Sequence, residues 1–339
     1  MGLNVMNIRD IADKCGVSVS TVSRIINNKP DVKPETREQV INVMNEAGFR
    51  PSFKIVRNDT IGIVMQRKHD VPDFTGELII GISETAFSLK KTITIISPDD
   101  DGLRNPDNVA QYCRINGLCG MMVIAPWLDS GLPQALAINR IPHVIIAASY
   151  PDTDISWVDV DNMNGSSTAV KHLIENGHRR IAMIHTPVLS ILDVDRIQGY
   201  RNALQDSGIL YDEKLIFEIT NHSMDLANSL KWMMDQEQRP TGIFCSTYPI
   251  TLHVLNALQG LGYRIPEDVS LIGFGDYDVS PLLTPPMTSV HQPVRDLGKT
   301  AMVVMGELLQ QEHYSKQQRV LNTRLIIRKS TRQIIPERG

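Results

Sequence analysis

Asn7-Ile8-Arg9-Asp10-Ile11-Ala12-Asp13-Lys14-Cys15-Gly16-Val17-Ser18-Val19-Ser20-Thr21-Val22-Ser23-Arg24 reads as two short helices hinged at Gly16, the layout of a helix-turn-helix that lays its second helix in a DNA major groove. Asn7 offers a side-chain oxygen to unpaired backbone N–H groups, and Asp10 three residues on places negative charge at the positive helix end. Ile8, Ile11 and Ala12 share one face. Gly16 gives the backbone freedom that an interhelical turn needs, and Ser18 caps a second helix running to about Ile26. Val22, Ile25 and Ile26 form its buried side. The other side carries Val19, Ser20, Thr21, Ser23, Arg24 and Asn27. Short hydroxyls, an amide and a guanidinium suit phosphates and base edges, and a core helix has little use for that set. A third helix is expected from Pro34 through Val40, Val43, Met44 and Ala47 to Gly48, although Lys33 is a poor cap. A three-helix bundle without DNA contact is the alternative reading of this stretch.

The chain has 339 residues, too many for such a head alone, and the remainder suffices for two medium domains with cores of their own. Of the formal charge of −4, residues 1–60 contribute +2 through nine Lys/Arg against seven Asp/Glu, which leaves −6 for the rest. So mildly basic a head attracts phosphate only modestly, and two heads acting together on one site would supply useful affinity. Cys15, Cys113, Cys119 and Cys245 are scattered without paired metal-ligand spacing, as expected of small apolar thiols in a reducing cytoplasm. Neither a metal nor a cofactor is expected. The N-terminus lacks the order of a secretory signal, and no apolar run approaches the roughly 18–20 residues that span a membrane. A soluble, cytoplasmic protein with no membrane partner follows. Asp99-Asp100-Asp101 reads as a solvated loop after a strand, with cation contact as the alternative.

From Thr60 onward, short β-branched runs alternate with helical patterns, which predicts an α/β region of parallel sheets with flanking helices. Strands are expected at Ile61–Met65, Thr92–Ser97, Met121–Ile124 and His143–Ile146, with helices near Glu77–Leu89 and Asn108–Asn116. A second series has strands at Arg180–Ile184, Leu215–Ile219, Gly242–Cys245 and Val269–Ile272. Its helices fall near Ser166–Asn176, Arg196–Ser207, Met224–Gln236 and Ile250–Leu261.

The segment from Asp10 to Asn27 meets every fixed position of D-[VI]-A-x-x-[AC]-G-V-S-x-x-T-V-S-R-x-[LI]-N, and so resembles the reading head of the lactose-repressor/galactose-repressor (LacI/GalR) family of bacterial regulators. The resemblance continues through Val32-Lys33-Pro34-Glu35-Thr36-Arg37, Gly48-Phe49-Arg50-Pro51, Val160-Asp161-Asn162, Gly177-His178-Arg179-Arg180-Ile181, Arg196-Ile197-Gln198-Gly199-Tyr200 and Pro266 to Phe274. It implies a helix-turn-helix head at 1–50, a linker at 51–59 and, at 60–339, a two-lobe core similar to a periplasmic binding protein. Lobe 1 would take about 60–160 and 293–320, and lobe 2 about 162–290 and 322–332, with crossings near Asp161, Val290-His291-Gln292 and Leu321. It further implies a homodimer on a pseudo-palindromic double-stranded DNA operator, with Val19, Ser20 and Arg24 reading bases and Thr21, Ser23 and Asn27 on the backbone. The helix near Glu77–Leu89 and the segment Leu297–Leu309 are candidates for the dimer surface or for ordinary core packing. Only seven residues follow Arg332, too few for a tetramer-forming heptad tail.

Two parts depart from the family pattern. Family members hold a small-molecule effector, often a sugar or nucleobase, with an Arg and several acids and amides. Here Arg196 stands at the Arg position, but Ala147 takes the place of a first-lobe acid, Ser246 of an amide and Gly275 of an acid, with Asp276 beside it. Phe74 and His222 occupy aromatic places. A retained Arg with fewer acids leans toward an anionic effector such as a sugar acid or sugar phosphate, because a buried guanidinium without a carboxylate is costly. The alternative is that Arg196 pairs with Asp193, Asp195 or Asp276 and serves structure. The second departure is the linker, which lacks the family's hinge-helix pattern P-N-x-x-A-R-x-L. Lys54 and Arg57 are candidates to follow phosphates, and Ile55 or Val56 to wedge into the minor groove.

Three rival functions are weaker. The nine His form no recognisable metal or triad motif, so the chain is not expected to be an enzyme. A plain solute-binding protein would need export and no head. Regulation by a protein partner instead of a small effector stays open at this level.

Overall fold

The computed structural model describes residues 7–26, 32–47, 59–65, 72–97, 103, 105, 108–187, 191–219, 223–311 and 315–334. The head consists of α1 (Ile8–Cys15), α2 (Val19–Ile26) and α3 (Pro34–Glu46). Asn7 opens α1 in a reciprocal cap. Its Oδ1 accepts from the Arg9 and Asp10 N–H groups at 2.8 and 3.3 Å, and the Asp10 carboxylate accepts from Asn7 N at 2.7 Å. Gly16 closes the helix with φ +65°, and the Ser18 hydroxyl accepts from Thr21 N at 3.0 Å to start the next. Ile11, Ala12, Cys15, Val22, Ile25 and Val40 are buried together as the head's own small core.

Behind it stand two six-stranded sheets. The first comprises β1 (Thr60–Met65), β2 (Thr92–Ile96), β3 (Leu118–Ile124), β4 (His143–Ile146), β5 (Trp157–Val160) and β11 (Gln318–Leu321), in the order β11-β5-β4-β3-β1-β2 and parallel throughout. The second comprises β6 (Ile181–His185), β7 (Ile216–Glu218), β8 (Gly242–Cys245), β9 (Ser270–Phe274), β10 (Thr288–His291) and β12 (Arg324–Ile326), in the order β12-β10-β9-β8-β6-β7. Within it only β12 runs antiparallel to its neighbour. The first sheet is flanked by α4 (Pro72–Ser88), α5 (Val109–Ile115), α6 (Leu132–Ile138) and α11 (Val294–Gln310). The second is flanked by α7 (Asn162–Glu175), α8 (Ile191–Asp206), α9 (Ser223–Met234) and α10 (Tyr248–Gly260).

Strands covered on both faces must be apolar along their length, and every residue of β3, β4, β6, β8 and β9 is buried. This is an α/β fold with a helical head, as the alternation of runs predicts. Strands β5, β10, β11 and β12 and helix α6 are absent from the sequence-based list. Four of these five have three or four residues and α6 has seven, too short for a periodicity to declare itself. The chain passes between the sheets three times, from β5 to α7, from β10 to α11 and from β11 to β12.

The apolar stripe of Leu297–Leu309 turns inward: Leu297, Ala301, Met302, Met305 and Leu308 are buried in the first lobe's core. Phe87, Ile80 and Val303 on α4 and α11 stay exposed. No helix among the described residues is long and apolar enough to cross a membrane. Among those residues, no group of three or more His, Cys, Asp or Glu is placed to hold a metal ion. Asp99, Asp100 and Asp101 lie outside the described residues.

Candidate functional site

On α2 the buried Val22 and Ile25 anchor one face, and Val19, Ser20 and Arg24 are exposed on the other. Thr21 and Ser23 are half-buried at its edge. The Ser18 hydroxyl sits 2.7 Å from Ser20 Oγ and 2.8 Å from Thr21 Oγ1, so the N-terminal hydroxyls form one hydrogen-bonded set at the start of the helix. Short side chains allow this helix to approach a surface closely, while Arg24 projects a forked donor. Asn27 and the linker residues Lys54, Ile55, Val56 and Arg57 lie outside the described residues.

The second site lies between the lobes. Because β6, β8 and β9 are parallel, their C-terminal ends gather at one edge of the sheet, where ligands of open α/β sheets bind. Thr186, Ser246 and Gly275 follow those ends. Ser246 is buried, and its hydroxyl has no hydrogen-bond partner among the described residues; the Thr186 hydroxyl is alike in this. Arg196 enters from α8 and is 5% exposed. Its Nε donates to Asn162 Oδ1 at 3.0 Å, Nη1 to the Ser246 carbonyl at 2.8 Å and Nη2 to Gln292 Oε1 at 3.3 Å. The guanidinium carbon lies 3.8 Å from the centre of the Phe274 ring, a cation–π stack. Three neutral acceptors and a ring thus meet this buried cation, and the carboxyl groups of Asp159 and Asp195 act on it through their charge.

The acid that Gly275 replaces has no room. Gly275 has φ +110°, and a Cβ there would lie 3.0 Å from Tyr248 Cβ and 3.1 Å from the Tyr277 ring. Those two rings pack edge to face with centroids 4.7 Å apart. Asp276 is committed elsewhere: Arg328 forks its carboxylate at 2.5 and 3.0 Å, and His291 Nδ1 lies 4.0 Å away. Of the three acids expected as structural partners of Arg196, Asp276 is therefore taken by Arg328, while Asp195 acts on Arg196 through its charge. Burial, reinforced by Arg324, holds the His291 pKa below its ordinary value against the pull of Asp276.

The first lobe supplies a different wall. Ala147, at the end of β4, is buried with φ +58°, and half-buried Phe74 packs on the same apolar cluster. Leu192 from α8 of the second lobe joins that cluster, so the lobes touch beside Arg196. A cavity of about 790 Å³ opens between them, lined by Gly76, Glu77 and Ile80 of α4, the loop Asp276–Val279 and the crossing His291–Asp296. His222 lies outside the described residues.

The fold therefore brings Arg196 and Ser246 together, sets Phe74 with Ala147, and turns Asp276 to a structural pair. Sequence reasoning missed Asn162, Gln292 and Asp159 as parts of this site. Their signal was polarity at the crossing points: an acid and an amide at the end of β5, and an amide just after β10.

Comparison with known proteins finds matches to both the head and the two-sheet region. The family model described as "Bacterial regulatory proteins, lacI family" matches residues 7–52, and that described as "Periplasmic binding protein-like domain" matches residues 170–331. The HTH-type transcriptional regulator CelR of Thermobifida fusca is 30% identical over 331 residues, covering 94% of this chain and 96% of that protein. The HTH-type transcriptional repressor CytR of Escherichia coli is 29% identical over 332 residues, covering 96% of each. Among solved structures, a transcriptional regulator CelR–cellobiose complex superposes with a TM-score of 0.74 at 29% identity, over 96% of this chain and 99% of that one.

Proposed function

The chain belongs to the LacI family of bacterial regulatory proteins, and on that premise we propose that a sugar-type effector seated between its two lobes controls how tightly its head holds DNA. It is a DNA-binding transcriptional regulator of the repressor type, and the relatives it matches are regulators and not enzymes. In our reading, residues 1–50 form the head, 51–59 the linker and 60–339 the effector core, and the protein works in the cytoplasm beside the DNA it reads. Val19, Ser20 and Arg24 read bases, while Thr21, Ser23 and Asn27 contact the backbone. Lys54 and Arg57 follow phosphates, and Ile55 or Val56 takes the wedge position. Two copies bind a pseudo-palindromic operator, with the exposed Phe87 and Val303 facing the second copy.

The observation that carries the effector reading is the buried Arg196, aimed by Asn162, Gln292 and the Ser246 carbonyl, beside the unpartnered Ser246 hydroxyl at the strand ends. Phe74 and Ala147 are our candidates to meet the ligand from the first lobe, and His222 is a further candidate contact. The solved CelR structure is a complex with cellobiose, which favours a polyhydroxylated ligand here too. The Arg196 guanidinium at this place favours a ligand bearing hydroxyl or carboxylate oxygens, a sugar or sugar acid.

Calorimetry with cellobiose, neutral monosaccharides, sugar acids and sugar phosphates tests this directly. Saturable binding of a sugar or sugar acid that also changes operator affinity supports the reading. Operator affinity that no member of the panel alters would sink it and return control to a protein partner.

A further inference from the structure

Asp159 lies on β5 of the first lobe and is 2% exposed. Its Oδ1 accepts from the Val160 N–H at 2.7 Å and from Asn162 Nδ2 at 3.2 Å. Asn162 opens α7 just after the chain has crossed to the second lobe, and its Nδ2 also donates to the Val160 carbonyl at 3.2 Å. An amide has one donor end and one acceptor end, so whatever takes its NH2 decides what its oxygen faces. Asp159 and the Val160 carbonyl take the NH2, and the Asn162 oxygen is thereby turned to Arg196 Nε at 3.0 Å. Gln292, from the second crossing, accepts from the same guanidinium at 3.3 Å. Arg196 is thus fastened to two of the three segments that join the lobes.

We propose that Asp159 is a positioning residue for effector recognition: by fixing the Asn162 amide it fixes the plane that the Arg196 guanidinium presents to the cleft and ties that plane to the lobe crossing. The inference rests on the effector reading above for its purpose, but the geometry belongs to the chain alone. The charged groups acting on Asp159 are Arg196 and Asp195 on α8; on β11 it is paired with Val320, and the adjacent Arg319 engages Glu307 at 3.9 Å. Burial pushes the Asp159 carboxyl up to about 7, Val160 N–H and Arg196 pull it down, and Asp195 pushes it up further. Its charge therefore changes in the neutral range, where Arg196 must sense it. Replacing it with Asn keeps an acceptor for Asn162 and removes the charge, and replacing it with Leu removes both.

The test is the Arg Nε–Hε spectrum of the full chain, with Arg196→Lys identifying the Arg196 signal. Unsubstituted protein should show a slowly exchanging Arg196 signal that shifts in one step near neutral pH. Asp159→Asn should keep the slow exchange and abolish the step, and Asp159→Leu should speed the exchange by about tenfold or more. A urea midpoint measured alongside reports folding. Should Asp159→Leu fail to fold, the smaller, polar Asp159→Ser takes its place with the same expectation. Calorimetry with cellobiose and glucuronate completes the set. Whichever binds should lose about tenfold in affinity in Asp159→Leu and about threefold or less in Asp159→Asn. Unchanged exchange in the Leu and Ser variants, or a step that persists in Asp159→Asn, overturns the proposal. If neither probe binds the unsubstituted chain, the effector reading fails for those two ligands, and the spectra still decide the role of Asp159.

Discussion

In the proposed function the head and the cleft each offer an arginine to a ligand, and the fold holds the two in opposite ways. Arg24 stands exposed on a helix whose start is set by contacts three residues apart, from Ser18 to Thr21. Arg196 is buried, and its partners Asn162, Ser246 and Gln292 lie 34, 50 and 96 positions away in the chain. A local helix can aim a side chain by itself. A buried cation needs a whole fold to satisfy its donors, because each one left unpaired costs about 1–3 kcal/mol. The two sites should therefore fail independently, the head through its small core and the cleft through its long-range bonds.

The largest effect should come from Ile11→Ala. It truncates a fully buried side chain in a core of six, a loss of about 2–5 kcal/mol that a head of this size does not survive. Calorimetry should show the head transition lost and the core transition unmoved, with DNA binding abolished and effector binding retained. Arg196→Met should do the converse. Effector affinity falls by about 2–5 kcal/mol, roughly thirtyfold or more, while operator affinity without effector keeps its value. If either variant damages both activities, the separation drawn here is wrong.

Acid sharpens the same contrast. His143 is fully buried, with Nδ1 2.8 Å from the Ile141 carbonyl and Nε2 accepting from Ser156 N at 3.4 Å, and burial drives its pKa down to about 4. A depressed histidine contributes its full stability above its unfolded value of 6.5 and loses it as pH falls toward 4, a difference on the order of 3 kcal/mol. Asp159 runs the other way. Its raised carboxyl contributes fully below its unfolded value of 3.8 and loses that contribution as pH rises through about 7. The histidine slope is thus best read in Asp159→Asn, whose core should weaken from pH 6.5 toward 4. Residues 1–60 contain no histidine, so the head should not share that slope. Denaturant midpoints of core and head across this range check it.

Arg24→Ala should have the smallest effect, about 1–3 kcal/mol on the specific operator with preference relaxed at one base pair. Equal loss on operator and random DNA, measured by fluorescence anisotropy, would remove Arg24 from base reading.

Legibility in the sequence follows the same line. The head could be read residue by residue, since Asn7, Asp10, Gly16 and Ser18 each act within one turn of chain. The alternating core was readable where strands are buried on both faces, as in β4 and β8, whose bounds match the apolar runs. It was not readable at β10, β11 and β12, which owe their existence to neighbours already in place. In the cleft, Arg196 and Ser246 were legible as residue types. Asp276 was misleading because its Arg328 partner lies 52 residues on, and Gly275 made sense only once Tyr248 and Tyr277 were seen to fill its space.

The central claim, that an exposed helix reads DNA under the control of a buried cleft, is tested most directly by selecting bound DNA from a random pool with and without the sugar panel. The unsubstituted chain should enrich a pseudo-palindrome whose yield changes with at least one sugar or sugar acid, and Arg196→Met should enrich the same sequence without that dependence. Enrichment of no symmetric site, or a yield that every arm leaves equal, would contradict it.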